Sequence, residues 1–226
     1  MNKELKEISK HMLGLGLGSL AHANLHSHLY SVENHWWAEL SVIQAAHAAE
    51  IIIKAKIAEE HPLLIFEQLP RLNRQEIGPL EIKHLFEKGR TVQYSDLPDR
   101  LWAATGLTLK NIEQFRNFGK LRNTIQHFAP PKDMDFGSQT IEFIYGVIDP
   151  FIHDCWDLYA IDYNEDHEPY EYLIPALVEQ EIEFYVSPAS SEVLKYIEID
   201  WSNQAPEYKN TMQQRFEEAK NLLKHS

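Results

Sequence analysis

A mainly α-helical fold is predicted by three features of the sequence. Apolar residues recur at helical spacing over long stretches, strand signals are sparse, and the strongest breakers fall where the periodic stretches end. With 226 residues, 44% apolar and 24% charged, the chain can bury one large core or two small ones. It shows no internal repeat and no low-complexity tract.

The elements follow in order. Residues 1–33 form an N-terminal segment. Within it, Met12 to Leu20 is apolar and interrupted by Gly14, Gly16 and Gly18, and Ala21-His22-Ala23 has the A-x-A form of a signal cleavage site. Glu4 and Glu7 in the leading segment and the three glycines argue against a secretory signal. Ser19 stands where G-x-G-x-x-G requires its last glycine, so no dinucleotide loop is expected.

From Asn34 to Glu60, Trp36, Trp37, Leu40, Ile43, Ala46, Ile53 and Ile57 mark the longest predicted helix, closed by His61-Pro62. Leu63 to Leu69 continues as a short apolar run. Residues 71–95, carrying Gly78-Pro79 and Gly89, read as short helices and loops. Leu97 to Thr105 is a short helix with Pro98 in its first turn and Gly106 at its end. Thr108 to His127 is a long helix with an apolar stripe of Leu109, Ile112, Phe115, Phe118, Leu121 and Ile125, stopped by Pro130-Pro131. Gln139 to Ala160 is helical with a break or kink at Pro150. Tyr172 to Tyr185 is an acidic helix, Val193 to Ile199 a strand or helix, and Pro206 to Lys224 an amphipathic helix. The polar, turn-prone run Asp162 to Pro169 suggests a boundary, so residues 34–160 are expected to form a helical bundle and 161–226 an acidic, mostly helical extension packing on it.

Charge is unevenly placed. The net charge is −13, which excludes a general nucleic-acid coat protein. Residues 1–140 carry 16 acidic and 16 basic side chains, whereas residues 141–200 carry 15 acidic ones and one basic one, Lys195. The first part is neutral and compatible with RNA; the acidic part suits a basic protein partner. One cysteine, Cys155, precludes an internal disulfide and fits a reducing, cytoplasmic setting. No apolar run reaches the roughly 18 residues of a membrane span.

The richest local chemistry is Arg122-Asn123-Thr124-Ile125-Gln126-His127, which reads R-N-x-x-x-H at the end of a predicted helix. Arg offers a planar, permanently charged fork to a phosphate, and His exchanges a proton near neutral pH. Together they can cleave RNA with no metal and no cofactor. Five residues separate Arg122 from His127, placing them about 140° apart around a helix, while Asn123 and His127 share a face. A working site therefore needs either a distorted helix end or a second subunit. The same residues also suit an ordinary helix end, with Arg122 paired to an acid and His127 favoured at the C-terminus by about 0.3–1 kcal/mol.

Two segments together resemble the HEPN family. One is Gln44 to Ile57, containing Glu50 and Lys54 and running into Glu60-His61-Pro62-Leu63-Leu64-Ile65-Phe66. The other is Asn117 to Phe128 around the R-N-x-x-x-H motif. The resemblance covers roughly residues 34–155 and leaves the segment beyond about 165 unexplained. It implies a helical bundle and a homodimer whose two motifs face a shared cleft. It also implies one of two functions. The first is a metal-independent endoribonuclease, of the kind found in toxins and antiviral effectors. Arg122, Asn123 and His127 would then be catalytic, with Glu50 and Lys54 in support. The second is an inactive dimer serving as a binding or assembly module; the acidic C-terminal region, which the resemblance does not cover, would be where it meets a protein partner or antitoxin.

Other constellations carry less. Glu50 and Lys54 at i,i+4 read equally as a surface pair worth about 0.2–0.5 kcal/mol. His22, His26, His28 and His35 cluster near the N-terminus, but no cysteine accompanies them and H-E-x-x-H is absent, so no metal is expected. Cys155, beside His153, Asp154 and Trp156, reads as a half-buried helical residue rather than a nucleophile. Tyr170, Tyr172, Phe184, Tyr185, Tyr196 and Trp201 lie among acids and read as core or interface. Leu101 to Phe115 resembles a helix-turn-helix with Gly106 at its turn, but Trp102 occupies the position where a small residue lets the helices cross. Lys110 and Arg116 are the cations its second helix would offer to DNA.

Overall fold

A computed structural model describes residues 5, 7–29, 31–71, 80–129 and 133–223 (of Phe86, the backbone alone). Gly78-Pro79, Pro130-Pro131 and Lys224, used above as breakers and as a helix end, lie outside these residues. The fold is mainly α, as the periodicity predicts. Among the described residues the strands are β1 (Phe66–Gln68) and β2 (Arg90–Thr91), paired antiparallel with Phe66 opposite Thr91. No helix among these residues is long and apolar enough to cross a membrane.

The chain divides into two compact units, each discontinuous in sequence: residues 1–17 with 47–109, and residues 18–46 with 110–226. The division falls within α1 (Ile8–His28) and within α2 (Trp37–Glu60). The predicted boundary near 162–170 lies inside the second unit, so parts of both 34–160 and 161–226 belong to one body.

The first unit is built on the start of α1 and most of α2. Gly16 lets them meet: a Cβ there would lie 2.5 Å from the Ile52 side chain and 3.2 Å from its backbone nitrogen. Glycine's conformational cost in a helix is offset here by close approach of the two backbones. The sequence predicts no helix over this glycine-rich segment, because helix propensity counts three glycines as breakers and carries no information on a partner helix. α2 begins at Trp37, three residues later than predicted, after Asn34 Oδ1 accepts the Trp36 backbone N–H. His61 then accepts the Leu63 N–H and opens a 3₁₀ turn, Pro62–Ile65, that leads into β1. α3 (Ile82–Lys88) and α4 (Leu97–Thr105) complete the unit around Ile52, Ile53, Ile57, Leu85, Leu97 and Leu101. Gly106 closes α4 at φ 76°, the left-handed conformation that ends a helix cheaply only with glycine.

The second unit is built around α5 (Ile112–His127) and the continuous run α6 (Phe136–Phe143), a π-helical turn (Ile144–Ile148) and α7 (Asp149–Trp156). The predicted kink at Pro150 takes the form of that π turn. Pro150 cannot donate to the carbonyl four residues back, Gly146, and the Asn111 amide donates to it instead at 2.7 Å. α1 is tied to this unit by Asn24. Its amide donates to the Ala160 and Tyr163 carbonyls and its oxygen accepts from the Tyr145 hydroxyl. α2 is tied by Ser41, whose hydroxyl donates to Thr140 at 2.9 Å.

Beyond α7, α8 (Tyr170–Glu179) ends six residues before the predicted helix does, and residues 182–187 run without helix or strand. Val193 to Ile199 forms neither a strand nor a long helix; a short α9 (Pro188–Val193) with Ser187 as its cap precedes it. α10 (Pro206–Leu223) lays Phe216 against Phe184 and Trp201, while the Tyr208 hydroxyl donates to the Ile182 carbonyl.

Candidate functional site

α5 is fixed by its apolar face. Phe115 and Phe118 are buried, and Phe118 stacks on Phe143 of α6 at 3.8 Å between ring centroids, with the planes 4° apart. Because the buried stripe recurs at helical spacing, the opposite face must meet solvent, and Asn123 and His127 are exposed there. The helix runs without interruption to His127, and the Phe128 backbone N–H still donates to the Thr124 carbonyl at 3.0 Å. The helix end is therefore not distorted. Arg122 stays about 140° from His127 around the axis, half-buried, with its Nη1 donating to Gln126 Oε1 at 3.1 Å. Asn123 and His127 lie one turn apart on one face. Phe128, immediately beyond, is 91% exposed.

Glu50 and Lys54 belong to the first unit and the motif residues to the second. Lys54 is only 4% exposed. Its ammonium donates to Glu50 at 2.6 Å and to the Thr91 hydroxyl at 3.3 Å, joining α2 to β2. Lys54 is thus a buried cation with a half-buried partner, unlike the surface pair that spacing alone suggests.

Several of the remaining candidates have structural partners. His22 contacts Glu165 at 2.7 Å; His26 bonds Gln44 at 2.8 Å and lies against the Trp37 ring. Among the described residues no group of three His, Cys, Asp or Glu side chains is arranged to hold a metal. The His28 ring is pushed down to a pKa of about 4 by burial and stays neutral. His153 stacks flat on Tyr185 at 3.9 Å. Phe184 lies in the core, and Tyr196 is exposed. Residues 106–111 separate α4 from α5, a connection longer than the roughly three to four residues of a helix-turn-helix.

Sequence reasoning missed one concave feature. A cleft of about 500 Å³ in the second unit is lined by Lys110, Gln114, Glu142, Glu183, Tyr185 and Arg215 among others. Lys110 pairs with Asp154 at 2.9 Å and Arg215 with Glu183 at 2.6 Å, so both cations are already neutralised. At its floor Asp149 is fully buried, accepting the backbone N–H groups of Ala160 and Tyr185 at 2.8 Å each. Burial pushes its carboxyl up to about 7, against the pull of those two donors and of Arg215. The cleft supplies charge and hydrogen bonds but no nucleophile with an adjacent base. The one sequence signal for it was Pro150 standing four residues after Gly146.

No family model matches this chain, and neither a curated protein nor a solved structure matches it.

Proposed function

We propose that this protein is a HEPN-like, metal-independent endoribonuclease acting as a homodimer, in the manner of a toxin or antiviral effector. The observation that carries the reading is the end of α5. An Arg, an Asn and a His of the R-N-x-x-x-H pattern sit on a helix held rigid by Phe115 and Phe118, with Asn123 and His127 open to solvent. With Arg122 about 140° from His127, one chain does not direct both at one phosphate, and a second copy meets the need. In this reaction His127 takes the proton of an RNA 2′-hydroxyl as its oxygen attacks the adjacent phosphorus. The P–O5′ bond breaks, a 2′,3′-cyclic phosphate forms, and the 5′-oxygen leaves with a proton from a general acid. Arg122 stabilises charge on the phosphoryl oxygens, and Asn123 orients His127 from one turn away. Glu50 and Lys54 enter only as supports of the fold around α2.

Incubating end-labelled RNA with the protein and a chelator tests this. Cleavage is expected from the native chain, falling by about 10²–10⁴-fold in His127→Ala and sharply in Arg122→Ala. Equal cleavage by all three, or by none, overturns the assignment.

A second reading draws on Glu165, Asp166, Glu168 and Glu171, all exposed on the loop into α8 and its first turn. It makes the chain an inactive dimer that binds a basic protein partner or antitoxin there. Under it, His127→Ala is silent and charge reversal at these four residues breaks the complex.

A further inference from the structure

α5 contains more exposed chemistry than the motif uses. Arg116, Lys120, Asn123 and His127 are all exposed. At 100° per residue they fall within about 60° of one another, forming one stripe about 16 Å long. Glu113 is the one acid in α5, set at the stripe's far edge, one turn before Arg116 and Asn117. Lys120 donates only weakly to Asn117, at 3.3 Å, leaving its charge toward solvent. Phe128, the residue just beyond His127 and about 100° round from it, is 91% exposed. In a chain of net charge −13, this is a local reversal of sign on a rigid helix.

We infer that this stripe is a binding track for single-stranded RNA, with Arg116 and Lys120 holding successive phosphates and Phe128 stacking on the base beside His127. The ligand rests on the ribonuclease reading; the geometry of the stripe does not. Arg116 and Lys120 stand one turn apart, a spacing suited to neighbouring phosphates of an extended strand. Both are charged donors whose contacts are indifferent to sequence. An aromatic ring at the end of a basic track is the arrangement by which single strands are held, because every base offers a face. A duplex hides those faces and gives Phe128 nothing to stack on. Arg116, Lys120 and Phe128 are positioning residues: they hold the strand and leave proton transfer to His127.

The test separates binding from cleavage. In a His127→Ala background, anisotropy of a labelled single-stranded RNA is measured over a range of salt concentrations. Arg116→Ala with Lys120→Ala is expected to weaken binding and to flatten the log–log salt slope by about 1.4, or about 0.7 per lost phosphate contact. Phe128→Ala is expected to weaken binding roughly tenfold and Phe128→Trp to restore it. In the otherwise native chain the double variant should raise KM for a long RNA by a larger factor than it lowers kcat. An unchanged salt slope in a folded double variant overturns the track, even if the protein cleaves RNA. Track-dependent binding by a protein that cleaves nothing sinks the nuclease reading and keeps the track. Tighter binding of duplex than of single strand overturns the assignment to single strands.

Discussion

At Lys54 the difference between spacing and burial decides the energetics. An exposed i,i+4 pair is worth about 0.2–0.5 kcal/mol. Lys54 is 4% exposed, so removing its partner leaves a desolvated ammonium with, among the described residues, the Thr91 hydroxyl as its remaining hydrogen-bond partner. Glu50→Ala is therefore expected to cost about 3 kcal/mol in urea denaturation, well beyond the surface value. A loss under about 0.5 kcal/mol would show that water reaches the ammonium after all. Asn111 and Gly146 make the same point for neutral groups. A proline is legible as a helix disturbance, but the partner that adopts its orphaned carbonyl lies 35 residues away in the chain. Local sequence cannot name it.

Among the elements, α1 separates two uses of glycine. A Cβ on Gly16 meets the Ile52 side chain and backbone, whereas Gly14 and Gly18 have nothing within 4 Å. Gly16→Ala is expected to destabilise by about 1–3 kcal/mol through overpacking. Gly14→Ala and Gly18→Ala should each stabilise by roughly 0.5–1 kcal/mol, since alanine loses less entropy in a helix. Thermal unfolding of the three variants checks the contrast, and a uniform response would refute the proposed close approach. The start of α7 carries a pH signature. Asp149 keeps its proton to about pH 7 when folded and loses it near 3.8 when unfolded. Between those values the folded chain holds more protons, so this group's stabilising contribution declines as pH rises from about 4 to about 7, by on the order of 1 kcal/mol per unit. The stability advantage of the native chain over Asp149→Asn should therefore shrink across that window. An advantage constant with pH would contradict the buried, protonated state. Helices with a one-sided apolar stripe, α5 and α10 above all, were legible because period 3.6 is written in the sequence. The irregular 182–187 segment was not, because its backbone bonds go to distant side chains, Tyr185 to Asp149, Ile182 to Tyr208 and Phe184 to Arg215.

For the whole molecule, the helical class was readable and the division into units was not. Each unit is assembled from two separated stretches, and two of the three cuts fall inside helices, α1 and α2, that run unbroken across them. The R-N-x-x-x-H residues were named correctly as neighbours on one helix end, and their angular separation followed from helical geometry alone. The proposed second copy has no such signal, since a partner subunit leaves no mark in a single chain's periodicity. In the proposed nuclease, Arg122 and His127 complete one another across a dimer. Mixing Arg122→Ala with His127→Ala, each inactive alone, tests it most directly. If the site is composite, half of the re-equilibrated dimers pair unlike chains and carry one intact site of two, so RNA cleavage in chelator returns to about a quarter of the native rate. If the mixture stays as inactive as its parents while the dimers exchange, the shared site does not exist.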